Sequence, residues 1–79
     1  MNESDISYSY DTRGYMMYYK GQPIGGAGIL KSAKGCRSNL KLFREQAAAE
    51  KRNLLAGRGS PLMMKYIREI DGVGGAANE

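Results

Sequence analysis

The stretch ISYSYDTRGYMMYY, residues Ile6–Tyr19, predicts how this chain folds. Ile6, Tyr8 and Tyr10 alternate with serines, which is the period-2 pattern of a half-buried strand. The segment DTRG that follows is rich in turn-forming residues. Tyr15–Tyr19 (YMMYY) is apolar on both faces and rich in aromatic residues that favour strands. We therefore expect an antiparallel hairpin whose second strand is the central strand of a small sheet.

The residues after this hairpin predict a third strand at the edge of the sheet. Lys20-Gly21 is suited to a tight hairpin turn, and IGGAGIL can pair back as a strand that ends at residue 30. Pro23 has no backbone N–H to donate to a neighbouring strand. The third strand is therefore expected at an edge, and the sheet region spans residues 6–30.

The segment GGAGILKS, residues 25–32, is similar to the phosphate-loop pattern G-x-x-x-x-G-K-[ST]. Leu30 replaces the last glycine of that pattern. A helix must also begin directly after the Lys-Ser pair, and Gly35 interrupts the chain there. We interpret GGAG as a bend or bulge of a strand rather than as a nucleotide site.

The second half of the chain predicts one long helix. Residues 31–38 form a basic loop of small residues, and Ser38 is suited to cap residues 39–56, which are rich in helix-forming residues and contain no Gly or Pro. On a helical wheel four apolar side chains form a stripe about 60° wide, namely Leu40, Phe43, Ala47 and Leu54. Gly57 is expected to end this helix in a left-handed conformation.

A second, shorter helix is predicted over residues 61–71. Ser60 is suited to its N-cap and Pro61 to its first position, and apolar residues recur at helical spacing from Met63 to Ile70. Gly72 is expected to end it, with residues 72–79 as a flexible tail. The predicted fold is α+β, a single domain of residues 1–79 with a two- or three-stranded antiparallel sheet packed against one long and one short helix.

Several classes of function are disfavoured by composition. The chain of 79 residues has one cysteine and no histidine, so neither an intrachain disulfide nor a tetrahedral zinc site is expected. Lys34 and Arg37 flank Cys36 and favour its thiolate, but no histidine is present to transfer its proton. Glu45 and Glu50 project about 140° apart on one helix, which does not suit paired acid–base catalysis. We expect a protein that is not an enzyme and that has no cofactor.

The N-terminal sequence and the apolar runs bear on location. The chain starts with the acidic segment MNESDISY, whereas signal peptides start with basic residues, and no apolar run approaches the ~20 residues that span a bilayer. A cytoplasmic protein that does not bind membranes is therefore expected.

Charge is distributed unevenly along the chain. All twelve Lys and Arg lie in residues 13–68, and residues 31–58 contain eight of them with two acids. Such a region favours a polyanion or an acidic protein surface as partner, although a solvated helix face would also carry these charges. The expected binding residues are the bases Lys31, Lys34, Arg37, Lys41, Arg44, Lys51, Arg52 and Arg58, with Tyr15 and Tyr18 as aromatic anchors. Core packing is the alternative role of the tyrosines.

With the segments YMMYYKGQPIGGAGI and AAAEKRNLLAGRG, the chain resembles small accessory proteins of bacteriophages, and among them the anti-CRISPR proteins. This resemblance implies a non-enzymatic inhibitor in the cytoplasm of a host bacterium. Such an inhibitor would bind an acidic or RNA-bearing surface of a CRISPR–Cas effector complex and sterically block target DNA. The alternatives are a basic regulator that binds nucleic acid through the same residues and an assembly protein, with the monomer and the homodimer both open.

Overall fold

A three-stranded antiparallel sheet followed by two helices makes up this protein in the computed structural model, which describes residues 1–28 and 36–77. A short 3-10 turn, Glu3–Asp5, precedes the strands. The elements are β1 (Ile6–Asp11), β2 (Gly14–Tyr19), β3 (Gln22–Gly28), α1 (Arg37–Leu55) and α2 (Pro61–Ala77). The strand order is β1-β2-β3. The predicted α+β class is therefore confirmed, with β2 central and β3 at an edge.

Both predicted hairpin turns are present. Lys20 and Gly21 have φ values of 51° and 83°, and two positive φ values define the turn type whose twist matches that of paired strands. In the turn between β1 and β2, the Arg13 N–H donates to the Asp11 carboxylate over 2.7 Å. Local turn chemistry therefore sets the register of each strand pair next to its turn.

The glycine-rich segment of β3 contains a bulge. Met17 pairs with Gly25 and Tyr18 pairs with Pro23, so Ile24 is an extra residue in the ladder. Gly25 has a φ of 139°, which only glycine adopts without strain. The bulge directs Ile24 into the core, where the residue is 1% exposed. Gly25 thus lies inside a paired strand, while Lys31 and Ser32 of the phosphate-loop pattern lie outside the described residues.

Helix α1 begins two residues earlier and ends one residue earlier than predicted. The N–H groups of Asn39 and Leu40 donate to the Cys36 carbonyl over 3.0 and 3.3 Å, so Cys36, not Ser38, is the N-cap. At the other end Gly57 has a φ of 75°, and the Arg58 N–H donates to the Asn53 carbonyl over 2.7 Å. This is the predicted left-handed glycine end of the helix.

Helix α2 starts as predicted but continues six residues beyond the predicted end. The Met63 N–H donates to the Ser60 hydroxyl over 3.2 Å, which makes Ser60 the cap, and Pro61 is the first helical residue. Gly72 lies within the helix, which extends to Ala77. Glycine in a helix costs about 1 kcal/mol relative to alanine but does not impose an end. Residues 73–77, predicted to be tail, thus have helical backbone.

The core lies between one face of the sheet and the two helices. α1 packs against β1 and β2, and α2 packs against β3. The buried core residues are Ile6, Met17, Tyr19, Ile24, Phe43, Ala47, Leu54, Met63 and Ile67. By strand alternation the opposite face of the sheet, here called the open face, presents Ser7, Ser9, Met16 and Tyr18.

Candidate binding surface

Helix α1 packs against the sheet through its apolar side. Phe43, Ala47 and Leu54 are buried as the predicted stripe requires. Leu40, expected in the same stripe, is 41% exposed. It lies in the first turns of α1, close to Asn39, whose side-chain amide donates to the Thr12 carbonyl over 3.2 Å in the β1–β2 turn. The helix passes the end of the strands at this point, so the sheet offers Leu40 no surface to cover it.

Two contacts give the direction of α1 over the sheet. Its start meets the β1–β2 turn through Asn39 and Thr12, and its later part meets the residues before β1, where Lys51 Nζ lies 3.8 Å from Glu3 Oε1. α1 therefore runs antiparallel to β1. Glu50 lies on the opposite side of the buried stripe. The pKa of Tyr15 in the central strand is raised by burial and, to a smaller extent, by the negative charge of Glu50. The side of α1 that carries Lys51 thus faces the β1 edge.

Four bases occupy this side of the helix, further from the core than Lys51. We call them the basic flank, and they are Arg37, Lys41, Arg44 and Arg52. All four are exposed, and within residues 1–28 and 36–77 none of them forms an ion pair. Lys51 lies at the inner margin of the flank with its side chain 24% exposed. The helix thus brings five of the eight predicted bases to one side.

The remaining three predicted bases do not belong to this flank. Arg58 follows α1 in the connection to α2 and is exposed. Lys31 and Lys34 lie outside the described residues.

The two predicted tyrosine anchors lie on opposite faces of the sheet. Tyr15 is half-buried beneath α1, with its ring centroid 6.3 Å from that of Phe43, and burial raises the pKa of its phenol. Tyr18 lies on the open face, where its hydroxyl is 3.3 Å from the Ser9 hydroxyl. Tyr15 and Tyr18 are three residues apart in β2, and successive side chains of a strand alternate between faces. The sequence spacing therefore already indicates that the two tyrosines lie on opposite faces. They do not form one anchor.

Most strand tyrosines face the helices rather than solvent. Tyr8 and Tyr10 share the face of Tyr15 and Tyr19, and the Tyr8 and Tyr10 ring centroids are 6.1 Å apart. Of the six strand and helix tyrosines, the open face presents Tyr18. A row of stacked bases needs several aromatic side chains on one accessible face. The sheet described here presents one.

A cluster that the sequence did not indicate joins α2 to the β2–β3 turn. The Tyr19 hydroxyl donates to Asp71 Oδ1 over 2.8 Å, and Lys20 Nζ lies 3.3 Å from the same oxygen. The hydrogen bond from Tyr19 lowers the pKa of Asp71, and burial raises the pKa of Tyr19. Lys20 Nζ is also 5.2 Å from the Tyr19 ring centroid. Asp71 and Tyr19 are 52 residues apart in the sequence, and this separation hides the pairing.

Cys36 lies exposed at the start of α1. Its sulfur is 2.9 Å from the Ser38 hydroxyl, and this hydrogen bond is the main reason that the pKa of the thiol is lowered. In the described part of the chain, no three His, Cys, Asp or Glu side chains are grouped as metal ligands. The thiol is more acidic than usual, but no base is placed beside it among the contacts described.

Two shallow hollows lie away from the basic flank. One, of about 330 Å³, is lined by residues of the β1–β2 hairpin end, including Ser9, Arg13 and Met16. The other, of about 280 Å³, lies between Pro23 and the α2 residues Tyr66 and Ile70. Neither is lined by a residue of the basic flank.

Among the described residues, no helix is both long and apolar enough to cross a membrane.

Comparison with known proteins identifies no family for this chain. No family model, no curated protein and no solved structure matches this chain.

Proposed function

We propose that this protein is a non-enzymatic binding protein whose basic flank on α1 holds an anionic partner. The observation that carries the proposal is the set of four exposed cations on one side of one helix, with no ion pair to any of them within residues 1–28 and 36–77. Lys51, by contrast, lies near Glu3 of the same chain. In the described part of the chain no acid pairs with the four flank residues, so their charges are available to a partner.

The start of α1 supports this reading on energetic grounds. The first turn of the helix has no acidic residue and contains Arg37, although the positive end of the helix dipole favours acids there. This arrangement costs the isolated helix some stability. It also raises the positive potential at the end of the flank, which favours an anionic group of a partner.

The resemblance to anti-CRISPR proteins suggests which partner to test first. In the proposed role the basic flank docks on an acidic or RNA-bearing surface of a host CRISPR–Cas effector complex and obstructs target DNA. Steric obstruction requires no bond-making step, and its affinity comes from complementary charge and shape.

Direct binding of nucleic acid through the same flank is the second candidate. Exposed Arg and Lys contact phosphates regardless of sequence. The orientation of the tyrosines does not favour stacking of bases on the open face, so such binding would depend on phosphate contacts and fall steeply with salt.

The test compares two double variants with matched geometry. K41Q/R44Q removes two charges of the basic flank, and K65Q/R68Q removes two exposed charges at the same i, i+3 spacing on α2. Binding to a panel of purified CRISPR–Cas effector ribonucleoproteins is measured by biolayer interferometry, and circular dichroism checks the fold of each variant. We expect K41Q/R44Q to weaken binding about tenfold or more, equivalent to about 1.4 kcal/mol, and K65Q/R68Q to bind like the wild type.

Two outcomes would contradict the proposal. Equal binding of both variants would show that the basic flank is not the contact surface. Tight, salt-sensitive binding to naked DNA or RNA, without binding to any ribonucleoprotein of the panel, would favour the nucleic-acid regulator.

A further inference from the structure

Strand β1 has one edge without a strand partner in the described sheet. The Lys20 N–H donates to the Asp5 carbonyl over 2.8 Å, so Asp5 directs its backbone carbonyl towards the β2 side of β1. Hydrogen-bonded pairs alternate along an antiparallel ladder, so Ser7 and Ser9 direct their backbone groups towards β2. Tyr8 and Tyr10 then direct their N–H and C=O groups outwards. Ile6 also faces outwards, but its N–H already donates to the Glu3 carbonyl.

The outward backbone groups of β1 lack the usual protection of an edge strand. Proteins commonly protect such edges with proline, a bulge or a central charge. β1 has none of these between Ile6 and Tyr10, and its ladder with β2 is regular. β3, at the other edge, has both Pro23 and the bulge at Ile24. The β1 edge is therefore the one that is open to a further strand.

The basic flank of α1 stands beside this edge. α1 lies over β1 and β2 and runs antiparallel to β1, so the right-handed helix carries the flank on the outer side of β1. The Phe43 ring lies next to Tyr15, which pairs with Tyr10. Arg44, the next residue of α1, is therefore level with Tyr10, whereas Arg37 precedes Asn39 and lies beyond the end of β1. The ion pair of Glu3 with Lys51 is a precedent within this chain for an acid next to β1 that meets this side of α1.

We propose that β1 binds an extended acidic segment of a partner protein as an added antiparallel strand. Backbone groups of the segment pair with Tyr8 and Tyr10. Because paired residues share a face, the segment residues opposite Tyr8 and Tyr10 point towards α1, and acidic side chains there meet the basic flank around Arg44. The inference rests on the proposed function, since it identifies the anionic partner of the basic flank.

Side chains around β1 add to the selectivity of this site. Tyr10 and Leu40 are 39% and 41% exposed near the start of α1 and offer apolar contact to the segment. Asp11 shares the alternation of Ser7 and Ser9 and therefore lies on the open-face side, away from the basic flank. Acids are thus favoured on the α1 side of the segment and disfavoured on the other.

A second copy of this chain fits the β1 edge poorly. Antiparallel pairing of two β1 strands would continue the sheet and put both α1 helices on the same face. The two basic flanks would then face each other across the junction, and like charges repel. An acidic segment replaces this repulsion with attraction.

The experiment uses an eight-residue peptide of alternating Glu and Val, labelled with fluorescein, and the full-length protein. In the proposed pairing the Glu amides point towards β1 and the Val amides point away. N-methylation of two central Glu amides should weaken binding at least tenfold in fluorescence anisotropy. The matched peptide with two N-methylated Val residues should bind within about twofold of the parent.

Amide hydrogen exchange gives an independent readout on the protein. Peptide binding should slow the exchange of the Tyr8 and Tyr10 amides. The Ser7 and Ser9 amides, which already face β2, should exchange as before.

Several outcomes would overturn the inference. Equal weakening by both methylated peptides, or unchanged exchange at Tyr8 and Tyr10, would exclude strand addition. If strand addition is excluded but K41Q/R44Q still weakens effector binding, the proposed function of the basic flank stands and only the strand-addition inference is overturned. A dimer in analytical ultracentrifugation that protects Tyr8 and Tyr10 would assign the edge to a second copy. Protection of these amides by a single-stranded oligonucleotide but not by the peptide would assign the surface to nucleic acid.

Discussion

At the β3 edge of the sheet the backbone contains Pro23, a bulge at Ile24 and a glycine with a φ of 139°, and α2 packs against the strand. At the β1 edge the backbone is regular, no proline or bulge interrupts it, and the neighbouring helix α1 presents cations that form no ion pair within residues 1–28 and 36–77. The β3 edge is therefore occupied by contacts with the rest of the chain. At the β1 edge, the outward backbone groups of Tyr8 and Tyr10 and the positive charges of the basic flank are available to a partner in our proposal.

We expect this difference to separate residues that stabilise the fold from residues that bind the proposed partner. Changes at the β3 edge should affect stability, whereas changes at the basic flank should affect affinity. The predictions below test that separation in order of decreasing effect.

Ile24→Ala should cause the largest loss of stability. Ile24 is 1% exposed at the bulge, and truncation leaves a cavity in the core, which costs about 3 kcal/mol. Urea denaturation followed by circular dichroism measures the free energy of unfolding. The control Leu42→Ala removes a side chain that is 45% exposed on α1 and should cost less than about 0.5 kcal/mol. Similar losses in both variants would show that the bulge does not build the core.

Gly25→Ala should cause a smaller loss, about 2 kcal/mol, from backbone strain. Its φ of 139° is unfavourable for alanine, and the added methyl would lie 3.3 Å from Met63 Cε. The control Gly72→Ala has nothing within 4 Å of the new methyl and lies in α2, so it should stabilise the protein by about 1 kcal/mol. Thermal denaturation of both variants measures the two shifts, and a stabilised Gly25→Ala would exclude the bulge geometry.

Tyr19→Phe should cause the smallest loss near neutral pH, because Asp71 loses the hydrogen bond from the Tyr19 hydroxyl and keeps only the contact with Lys20. The pKa of Asp71 is held below its ordinary value of 3.8, so this contribution is present above about pH 4 and is lost as the pH falls through the lower folded-state pKa. The pKa of Tyr19 is raised above 10.0, so the bond remains through neutral pH and is lost only when the pH rises through that higher pKa.

Stability measured from pH 2 to 8 for the wild type, Tyr19→Phe and Asp71→Asn tests this pH dependence. The difference between the wild type and Tyr19→Phe should shrink in acid, and Asp71→Asn should remove the part of the acid dependence that comes from this bond. A constant difference down to pH 2 would contradict the hydrogen bond from Tyr19 to Asp71.

Local patterns were sufficient to predict most of the secondary structure. The alternation from Ile6 to Tyr10, the Lys20-Gly21 turn, and the caps Gly57 and Ser60 are all found as expected. These features depend on neighbours in the sequence, so no tertiary information is needed. The end of α2 differed from the prediction because glycine permits a helix end without requiring one. Leu40 was predicted to be buried and is exposed, because its burial depends on where the sheet ends.

The candidate site was predictable in part. Helical periodicity alone predicts Lys41, Arg44, Lys51 and Arg52 on one side of α1, whereas Arg37 was predicted in the preceding loop and joins them because the helix begins earlier. Periodicity could not show that this side overhangs β1, because that depends on which way the helix crosses the sheet. The alternation of Tyr15 and Tyr18 also argued against a common anchor, a signal that their shared aromatic character obscured.

By itself the sequence determined the first hairpin, the positions of the two turns, the two helices and the clustering of positive charge, because hydrogen bonds and side-chain periodicity within a few residues decide these. Only the tertiary structure decided that Asp71 meets Tyr19, that one edge of β1 has no strand partner among the described residues and that the basic flank lies beside this edge. These relations join residues far apart in the chain, and the packing of the helices on one face of the sheet brings them together.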